Sequence, residues 1–347
     1  MVNQGLKICN GDPPISINIS GLRGDFRNAQ QLPDQCGNIG RAKLAAGAVG
    51  LAKTALNDSI QYARQRMAFG KPIVEFGAIQ HKLAEMAART WAAEGMVYRT
   101  AGALDRALAA AGAGTSVEAL RAVEEYAIEC SIVKVFCSEV LDFVVDEAVQ
   151  IHGGYGYSAE YAVERYYRDS RVNRIFEGTN EINRLVIVAM LLKRGASGRL
   201  PLNAWIEQAT VSVRSGKDPF GPIDCARNAF LFTLGIAMEK HGDGLKDEQE
   251  IAMLLADAAM AIYAADTAVE RVADLTEPDR DFTPELLFSV TLDRAVHTIE
   301  RGMHEVLAAL LGGKPLQEAM SAVTRTLAWM PDNTIQARRD IAKRLTM

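Results

Sequence analysis

Cysteine and histidine are scarce in this sequence, and neither is arranged in a metal-binding pattern. Five cysteines and five histidines occur among 347 residues, and no two cysteines stand in CxxC spacing. The odd number and scattered positions of the cysteines favour a reduced, cytoplasmic protein. Cys130 and Cys137 lie two helical turns apart on one stripe, so we expect them to pack in a core. We predict no metal site.

A basic excess and long apolar runs are also lacking. The net charge is −5 at pH 7, without the basic footprint that is typical of nucleic-acid-binding proteins. Residues 1–35 lack the apolar segment of a signal peptide. The most apolar stretch, Ile251–Val269, is interrupted by Asp257 and Asp266, which disfavours a membrane span. We therefore predict a protein that binds no nucleic acid and crosses no membrane.

Proline and clusters of β-branched residues are few, whereas alanine is abundant, and this balance favours helix. Apolar residues recur at helical spacing in several stretches. The predicted long helices span residues 41–66, 76–108 and 117–151, and shorter ones span 159–168 and 179–195. No strand followed by a Gly-rich loop and a helix occurs, so a Rossmann site is not supported. The predicted fold class is all-α.

Two helical bundles and a leader are predicted. Residues 1–35 show no sustained period, and only the segment 13–20 suggests a short strand. Residues 36–195 form the first predicted bundle and residues 202–347 the second, joined by a stretch of linker composition at 195–201. The predicted helices of the second bundle span residues 203–214, 223–240, 247–273, 284–312, 315–329 and 333–345.

The candidate chemistry lies in residues 150–184, QIHGGYGYSAEYAVERYYRDSRVNRIFEGTNEINR. Glu177 stands there between apolar Phe176 and a helix start at Thr179, which suits an N-cap. Unpaired N–H groups at a helix start attract anionic ligands. We expect contact with Phe176 to desolvate Glu177 and raise its pKa towards that of a general base. The alternative is a plain helix entry with a surface carboxylate.

Together with residues 37–87, GNIGRAKLAAGAVGLAKTALNDSIQYARQRMAFGKPIVEFGAIQHKLAEMA, this stretch closely resembles the C-terminal helical domain of the acyl-CoA dehydrogenase family. The resemblance covers residues 37–195, and several motifs recur in the family's order. Residues after 195 resemble the extra helical domain of the very-long-chain branch. The resemblance implies an N-terminal helical domain and a β-domain before Asn38, but residues 1–35 resemble neither.

The resemblance implies a flavin-dependent enzyme of fatty acid β-oxidation. Such an enzyme removes two hydrogens from a fatty acyl-CoA thioester and gives the trans-2-enoyl-CoA. Glu177 is the implied base for the α-proton. Some branches place this carboxylate immediately before the position of Arg41, where this chain has Gly40, so Glu177 is the only candidate. The implied substrate contacts are Asn38, Arg41 and Gly178.

FAD is the implied cofactor. Arg66 matches an arginine that pairs with the cofactor pyrophosphate, for which the fork of guanidinium donors is suited. Ala68 stands where relatives often have a hydroxyl residue. The implied cofactor contacts are Arg66, Met67, Ala68, Phe76, Gly77, Gln150, Ile151, His152, Gly153, Gly154, Thr179, Asn180 and Glu181.

The implied partners are an acyl-CoA substrate, an electron-transfer flavoprotein as electron acceptor, and a second copy of the chain. In the family, the arginine loop and the turn at Gln150 serve the neighbouring subunit's flavin. A homodimer is also predicted because the apolar stretches Leu44–Leu56 and Ile128–Val144 are too extensive for one exposed face. The very-long-chain resemblance suggests peripheral membrane contact. The alternative is a catalytically inactive helical scaffold or interaction protein that cannot hold flavin.

Overall fold

The computed structural model describes residues 33–111, 116–216, 221–273, 283–328 and 332–347. Within these residues the chain forms twelve α-helices and one two-stranded sheet, which confirms the predicted all-α fold class. The first six helices are α1 (Pro33–Gln65), α2 (Gly77–Ala111), α3 (Ser116–Glu124), α4 (Ala127–His152), α5 (Ala162–Ser170) and α6 (Asn180–Ala196). The other six are α7 (Leu202–Ser215), α8 (Pro222–His241), α9 (Gln249–Ala273), α10 (Thr283–Leu310), α11 (Gly313–Thr326) and α12 (Thr334–Leu345).

Helix α1 begins at Pro33, earlier than its predicted start at Arg41. Its first turns bury Ile39 and Ala42 in a small cluster with Leu104 and Val123. These two side chains are too few to give a helical period, so the sequence carried no signal for the early start. The rest of the predicted leader, with its suggested strand at 13–20, lies outside the described residues.

The predicted third long helix is wrong, because the chain breaks after Glu124 into α3 and α4. Arg194 from α6 donates hydrogen bonds to the backbone carbonyls of Glu124 and Glu125 at this break. Arg199 also pairs with the Glu125 carboxylate at 2.7 Å. A side chain distant in sequence thus satisfies carbonyls that a helix end leaves unpaired. Local periodicity cannot show such a contact.

Helix α1 ends where Gly and Pro were predicted to stop it, but the stop is a small hairpin. Strand β1 (Met67–Ala68) pairs antiparallel with β2 (Lys71–Pro72). The turn residues Phe69 and Gly70 have φ values of 51° and 84°. Positive φ at both central residues is the geometry of a tight hairpin turn, and it is unusual for phenylalanine.

The apolar stretches of α1 and α4 bury each other inside the chain. The two helices pack along their length, and Val49, Leu56, Leu141 and Val144 are buried between elements of the first bundle. These stretches therefore do not form the exposed apolar face from which a dimer was predicted.

Helices α9, α10 and α12 pack on helices of the first bundle. Helix α9 lies against α2 and α6, while α10 and α12 lie against α2. One hydrophobic cluster runs through all of these helices. The division of the chain between residues 195 and 202 stays a prediction.

Helix α9 is apolar enough, by length and composition, to cross a membrane, and 61% of its most apolar window is buried inside the protein. Its two interrupting acids are paired across the fold. Asp257 accepts a hydrogen bond from Arg184 at 2.7 Å, and Asp266 pairs with Arg99 at 3.3 Å and with Arg227. The helix thus packs as a core helix whose acids face arginines of neighbouring helices.

Cys130 and Cys137 are free and buried, which confirms their predicted place in the core. Burial raises the pKa of Cys130 to about 12. It also raises the pKa of Cys137. Thiols held in this protonated form are poor nucleophiles and poor metal ligands.

Candidate functional site

Glu177 lies in a strained turn immediately before α6. The backbone angle φ is 58° at Glu177 and 80° at Gly178, and both values lie in the left-handed region. Glycine adopts this conformation without steric penalty, whereas a non-glycine residue there costs about 1–3 kcal/mol. Thr179 then caps α6, as predicted, because its Oγ1 accepts a hydrogen bond from the Ile182 N–H at 3.4 Å. The turn therefore needs support from elsewhere in the fold.

Asn183 supplies part of that support from within α6. Its Nδ2 donates to three successive backbone carbonyls, those of Glu177 at 3.2 Å, Gly178 at 2.8 Å and Thr179 at 3.0 Å. The Asn183 side chain is buried. One amide group thus gathers the carbonyls of the turn towards the interior, which leaves the Glu177 side chain on the outside.

Side chains from α4 and α1 reach the same turn. Lys134 Nζ donates to the Gly178 carbonyl at 2.6 Å and to Asn180 Oδ1 at 2.7 Å. Arg41 Nε donates to the Glu177 carbonyl at 3.4 Å. Two cationic groups therefore face the carbonyl oxygens of this short segment, and hydrogen bonds from charged donors are among the stronger ones.

The Glu177 carboxylate lies directly on Gly40 of α1. A methyl group on the Gly40 Cα would lie 2.5 Å from the carboxyl carbon Cδ and 2.6 Å from Oε1. Asn38 and Arg41, on the same turn of α1, are joined by a hydrogen bond of 2.7 Å from Nη1 to Oδ1. The fold therefore brings together Asn38, Arg41, Glu177 and Gly178, which the sequence had placed in one site.

The surroundings of Glu177 differ from the prediction in one respect. Phe176 was expected to desolvate the carboxylate, but the Phe176 side chain is 47% exposed and Glu177 is exposed as well. The turn directs both side chains away from the core. The predicted desolvation by Phe176 is therefore wrong for the described chain.

Lys134 was not among the predicted site residues, although its position in the sequence indicates a buried polar contact. It is the one charged residue in the apolar run Cys130–Cys137 of α4, and its side chain has no exposed surface. Burial and the positive charge of Arg41 lower the pKa of Lys134 to about 8, against the opposing attraction of Glu139 and other acids. An isolated lysine in an apolar helix is costly to bury, so it indicates a polar partner in the fold.

Asn180 was predicted to contact the cofactor, but its side chain is buried. Its Nδ2 donates to Ser138 Oγ at 3.0 Å and to Glu139 Oε1 at 3.1 Å, and its Oδ1 accepts from Lys134. The amide is therefore committed to α4 and supports the turn from inside. Glu181 is exposed, and hydrogen bonds from its own backbone N–H and from Thr179 lower its pKa.

A second cluster of predicted residues lies at the other end of α1, around the hairpin. Arg66 is exposed, and its guanidinium carbon lies 5.5 Å from the centre of the Tyr155 ring. Phe69 is 96% exposed and meets the Phe76 ring edge-on at 6.1 Å. Lys71 Nζ lies 4.5 Å from the centre of the Phe76 ring. The other predicted residues here are Met67 and Ala68 on β1 and Gly77 at the start of α2.

The end of α4 borders this second cluster. Gln150, Gly153 and Gly154 are exposed, but the Ile151 and His152 side chains are buried. The His152 ring stacks on Tyr62 at 4.1 Å, and burial lowers its pKa. Ile151 and His152 can thus offer a ligand only backbone atoms, and their contact with the cofactor stays a prediction.

The two clusters are far apart within one chain. Gly40 and Gln65 are separated by 25 residues of continuous helix α1, which corresponds to about 38 Å at 1.5 Å per residue. No single dinucleotide is long enough to bridge this separation. The Glu177 cluster and the Arg66 cluster of one chain therefore cannot hold the same cofactor molecule.

Two family models, each described as the acyl-CoA dehydrogenase C-terminal domain, match residues 34–192 and residues 225–325. A probable acyl-CoA dehydrogenase of Bacillus subtilis (strain 168) is 39% identical over 321 residues, which is 88% of this chain and 54% of that protein. A subunit of the caffeyl-CoA reductase–Etf complex of Acetobacterium woodii is 40% identical over 169 residues, which is 49% of this chain and 39% of that protein.

The crystal structure of an acyl-CoA dehydrogenase complexed with FAD from Bacillus anthracis is also similar. Its sequence is 40% identical, and the TM-score is 0.87 over 90% of this chain and 56% of that chain. The matches to the Bacillus subtilis and Bacillus anthracis proteins cover most of this chain. The chain spans only about half the length of each of those two proteins.

Proposed function

This chain belongs to the acyl-CoA dehydrogenase family, and we propose that it supplies the catalytic base of an FAD-dependent enzyme acting on fatty acyl-CoA thioesters. The proposed reaction gives the trans-2-enoyl-CoA. The observation that carries the proposal is the position of the Glu177 carboxylate, which lies on Gly40 beside the hydrogen-bonded pair Asn38 and Arg41. The missing side chain at residue 40 leaves room for this carboxylate.

Glu177 is suited to remove the α-proton of a thioester. That proton is weakly acidic, so the base must be held in position, and hydrogen-bond donors must face the developing negative charge on the thioester oxygen. Its strained turn fixes the backbone of Glu177, while the exposed side chain faces the space that a substrate would enter. Arg41 adds a positive charge next to this space.

The residues of the second cluster fit the phosphates of FAD. Arg66 is exposed at a helix end, and a methyl group on Gly153 or Gly154 would meet no atom within 4 Å, so a ligand can approach the backbone there closely. Thr179 belongs instead to the Glu177 cluster, where it begins α6 with the positive end of a helix, and it would serve the cofactor beside Glu177. When bound, FAD accepts the two electrons that leave the substrate with the β-hydrogen.

A shared site in a homodimer is the arrangement that we propose for these clusters. The separation of about 38 Å along α1 requires that Arg66 and Glu177 of one chain serve different cofactors. Exposed aromatic side chains at the hairpin and at the end of α4, Phe69 and Tyr157, provide apolar surface for a partner chain. This surface replaces the buried stretches of α1 and α4 as the reason for the dimer.

An electron-transfer flavoprotein is the proposed electron acceptor. One relative is named as a subunit of a reductase–Etf complex, which supports this link. Other relatives include a short-chain specific acyl-CoA dehydrogenase of Megasphaera elsdenii and an acryloyl-CoA reductase of Anaerotignum propionicum. The peripheral membrane contact stays a prediction.

The test is a dye-reduction assay of the FAD-loaded protein with acyl-CoA substrates of several chain lengths. We expect wild-type protein to form the enoyl-CoA and the Glu177→Gln variant to retain FAD but lose about 10²–10⁴-fold or more of the turnover. Equal turnover by the two proteins would refute the assignment of the base. Absence of both FAD binding and turnover in wild type would favour the inactive scaffold.

A further inference from the structure

Lys134 is buried on α4, directly beneath the turn that carries Glu177. Its side chain has no exposed surface, although lysine is rarely buried without a partner. The ammonium group donates to the Gly178 carbonyl at 2.6 Å and to Asn180 Oδ1 at 2.7 Å. Both acceptors lie within three residues of Glu177. These contacts, all to one short segment, offset part of the cost of burying this charge.

The supported segment is the one with the least favourable backbone. Glu177 and Gly178 both have positive φ, and such geometry persists only when surrounding groups hold it. Asn183 also holds the Gly178 carbonyl, at 2.8 Å, but Asn183 belongs to the helix that follows the turn. Lys134 is different, because it ties the turn to α4, which packs along α1 where Gly40 lies.

We propose that Lys134 is a positioning residue for Glu177. Its ammonium group fixes the Gly178 carbonyl and the Asn180 side chain, and thereby holds the Glu177 carboxylate over Gly40. The effect on catalysis rests on the proposed role of Glu177. The effect on the turn does not depend on that role, since it follows from the hydrogen bonds alone.

Charged groups from four directions face Lys134. They are Arg41 of α1, Glu139 of α4, Glu177 in the turn and Glu181 of α6. Together with burial, they give Lys134 a pKa of about 8, so its charge changes within the pH range of an ordinary assay. A neutral amine donates weaker hydrogen bonds than an ammonium group. The support of the turn should therefore weaken as the pH rises through this value.

Amide hydrogen exchange tests the effect on the turn without substrate or cofactor. We compare wild type, Lys134→Met and the control Lys53→Met, which removes a lysine of α1 that pairs with Glu94 at 2.6 Å. The expected result is exchange of residues 178–186 faster by on the order of tenfold or more in Lys134→Met, with no change there in Lys53→Met. Wild-type protection of this segment in Lys134→Met would overturn the proposal.

The kinetic test separates positioning from general stability. In the FAD-loaded protein we expect Lys134→Met to lower kcat by about tenfold to a hundredfold, with the KM for acyl-CoA little changed, because misplacement of a reacting group acts on the chemical step. Lys134→Arg, which retains a charged donor, should recover most of kcat. Unchanged kcat in Lys134→Met, with an active wild type that depends on Glu177, would overturn the catalytic part.

The pH profile covers the case in which Lys134→Met does not fold. Wild-type kcat should decline above a pH of about 8, and the decline should move to higher pH in Lys134→Arg, since arginine stays charged. The same alkaline decline in both proteins would overturn the proposal. An inactive wild type would instead count against the proposed function, while hydrogen exchange would still decide the role of Lys134 in the turn.

Discussion

At the scale of single residues, the size of residue 40 determines where the Glu177 carboxylate can lie. A methyl group on Gly40 would come within 2.6 Å of Oε1, so alanine must displace the carboxylate. Because the displaced group is the end of a flexible side chain, we expect Gly40→Ala to fold normally. We expect it to lower kcat by on the order of tenfold or more, measured in the FAD-loaded protein.

The matched control for this substitution is Gly47→Ala on the same helix. A methyl group on Gly47 meets no atom within 4 Å, so alanine there should leave kcat unchanged. It should also stabilise α1 by up to about 1 kcal/mol, because alanine favours helix more than glycine does. Equal turnover in Gly40→Ala and Gly47→Ala would show that the carboxylate does not need the space over Gly40.

Lys134 gives a pH-dependent prediction on stability. Its pKa is about 8 in the folded chain, against an ordinary value of 10.5. Between these values the unfolded chain holds a proton that the folded chain has released, so the free energy of unfolding rises with pH. Relative to Lys134→Met, wild type should gain stability from pH 8 to pH 10.5, by about 1.4 kcal/mol per unit of pKa shift at most.

Urea unfolding of both proteins at several pH values measures this difference. The comparison cancels the contributions of other titrating groups, provided that they are unaffected by the substitution. A difference that stays flat, or that shrinks as the pH rises, would contradict the lowered pKa of Lys134.

The residues of the Glu177 cluster were only partly predictable. Asn38, Arg41 and Glu177 stand in motifs that could be read along the chain, and the fold brings them together. Lys134 and Asn180 interact across 46 positions of sequence, and no local pattern showed that the asparagine faces α4 instead of a ligand. Side-chain direction at a helix start depends on the tertiary partner, so only the fold shows that the Asn180 side chain is bonded to α4, and its cofactor contact stays a prediction.

At the scale of elements, Glu85 joins three helices. It lies on α2, is 5% exposed, and pairs with Arg89, with Arg294 of α10 and with Arg338 of α12 at 2.7 Å. We expect Glu85→Ala to destabilise the chain by about 3–5 kcal/mol, because it removes the buried acid from three partly buried arginines. The control Glu318→Ala removes an exposed pair with Lys314 and should cost less than about 1 kcal/mol.

Glu85 also makes the stability of the packing between α2, α10 and α12 depend on pH in the acid range. Burial raises the pKa of Glu85, but the charge of Arg294, the hydrogen bond from Arg338 and the charge of Arg89 outweigh it, so the pKa is lowered from 4.5. The stability that this lowering contributes is present above pH 4.5 and is lost as the pH falls through the folded-state pKa. Urea unfolding should therefore show the gap between wild type and Glu85→Ala narrowing below this pH. A constant gap would contradict the ion pairs.

The bounds of helices were predicted well where the apolar pattern continues over many residues. They were predicted poorly where a side chain distant in sequence determines the end of a helix. Helices α8 and α9 match their predicted bounds within a few residues, because their apolar stripes are continuous. The break between α3 and α4 depends on Arg194, which lies about 70 positions further on. The hairpin after α1 was read as a plain helix stop, since two-residue strands carry no alternating pattern.

At the scale of the whole molecule, the hairpin is the expected dimer contact. Phe69 is almost fully exposed at its tip, and exposed aromatic side chains are typical of interfaces. We expect sedimentation to show a dimer at micromolar concentration and a shift towards monomer in Phe69→Asp. The control Ile335→Asp changes an exposed apolar residue of α12 and should leave the dimer intact. A wild-type monomer would contradict the shared site.

The overall arrangement was less predictable than its parts. Composition and periodicity indicated two all-α bundles, but not that α9 would pack on α2 and α6 or that partly buried ion pairs would join the bundles. These contacts depend on the relative orientation of whole helices. The separation of the Arg66 and Glu177 clusters follows from the length of α1, and it became evident only once that helix proved continuous.

The most direct test of the central claim, that Glu177 is the base, is the exchange of deuterium from the α-carbon of an acyl-CoA into water. In this reaction the base takes the deuteron, solvent replaces it, and a proton returns to the same carbon, so no electrons are transferred. We expect the FAD-loaded wild type and the control Glu160→Gln, which changes an exposed acid, to release deuterium at similar rates. Glu177→Gln should release it about 10²–10⁴-fold more slowly. Release at the wild-type rate by Glu177→Gln would contradict the account.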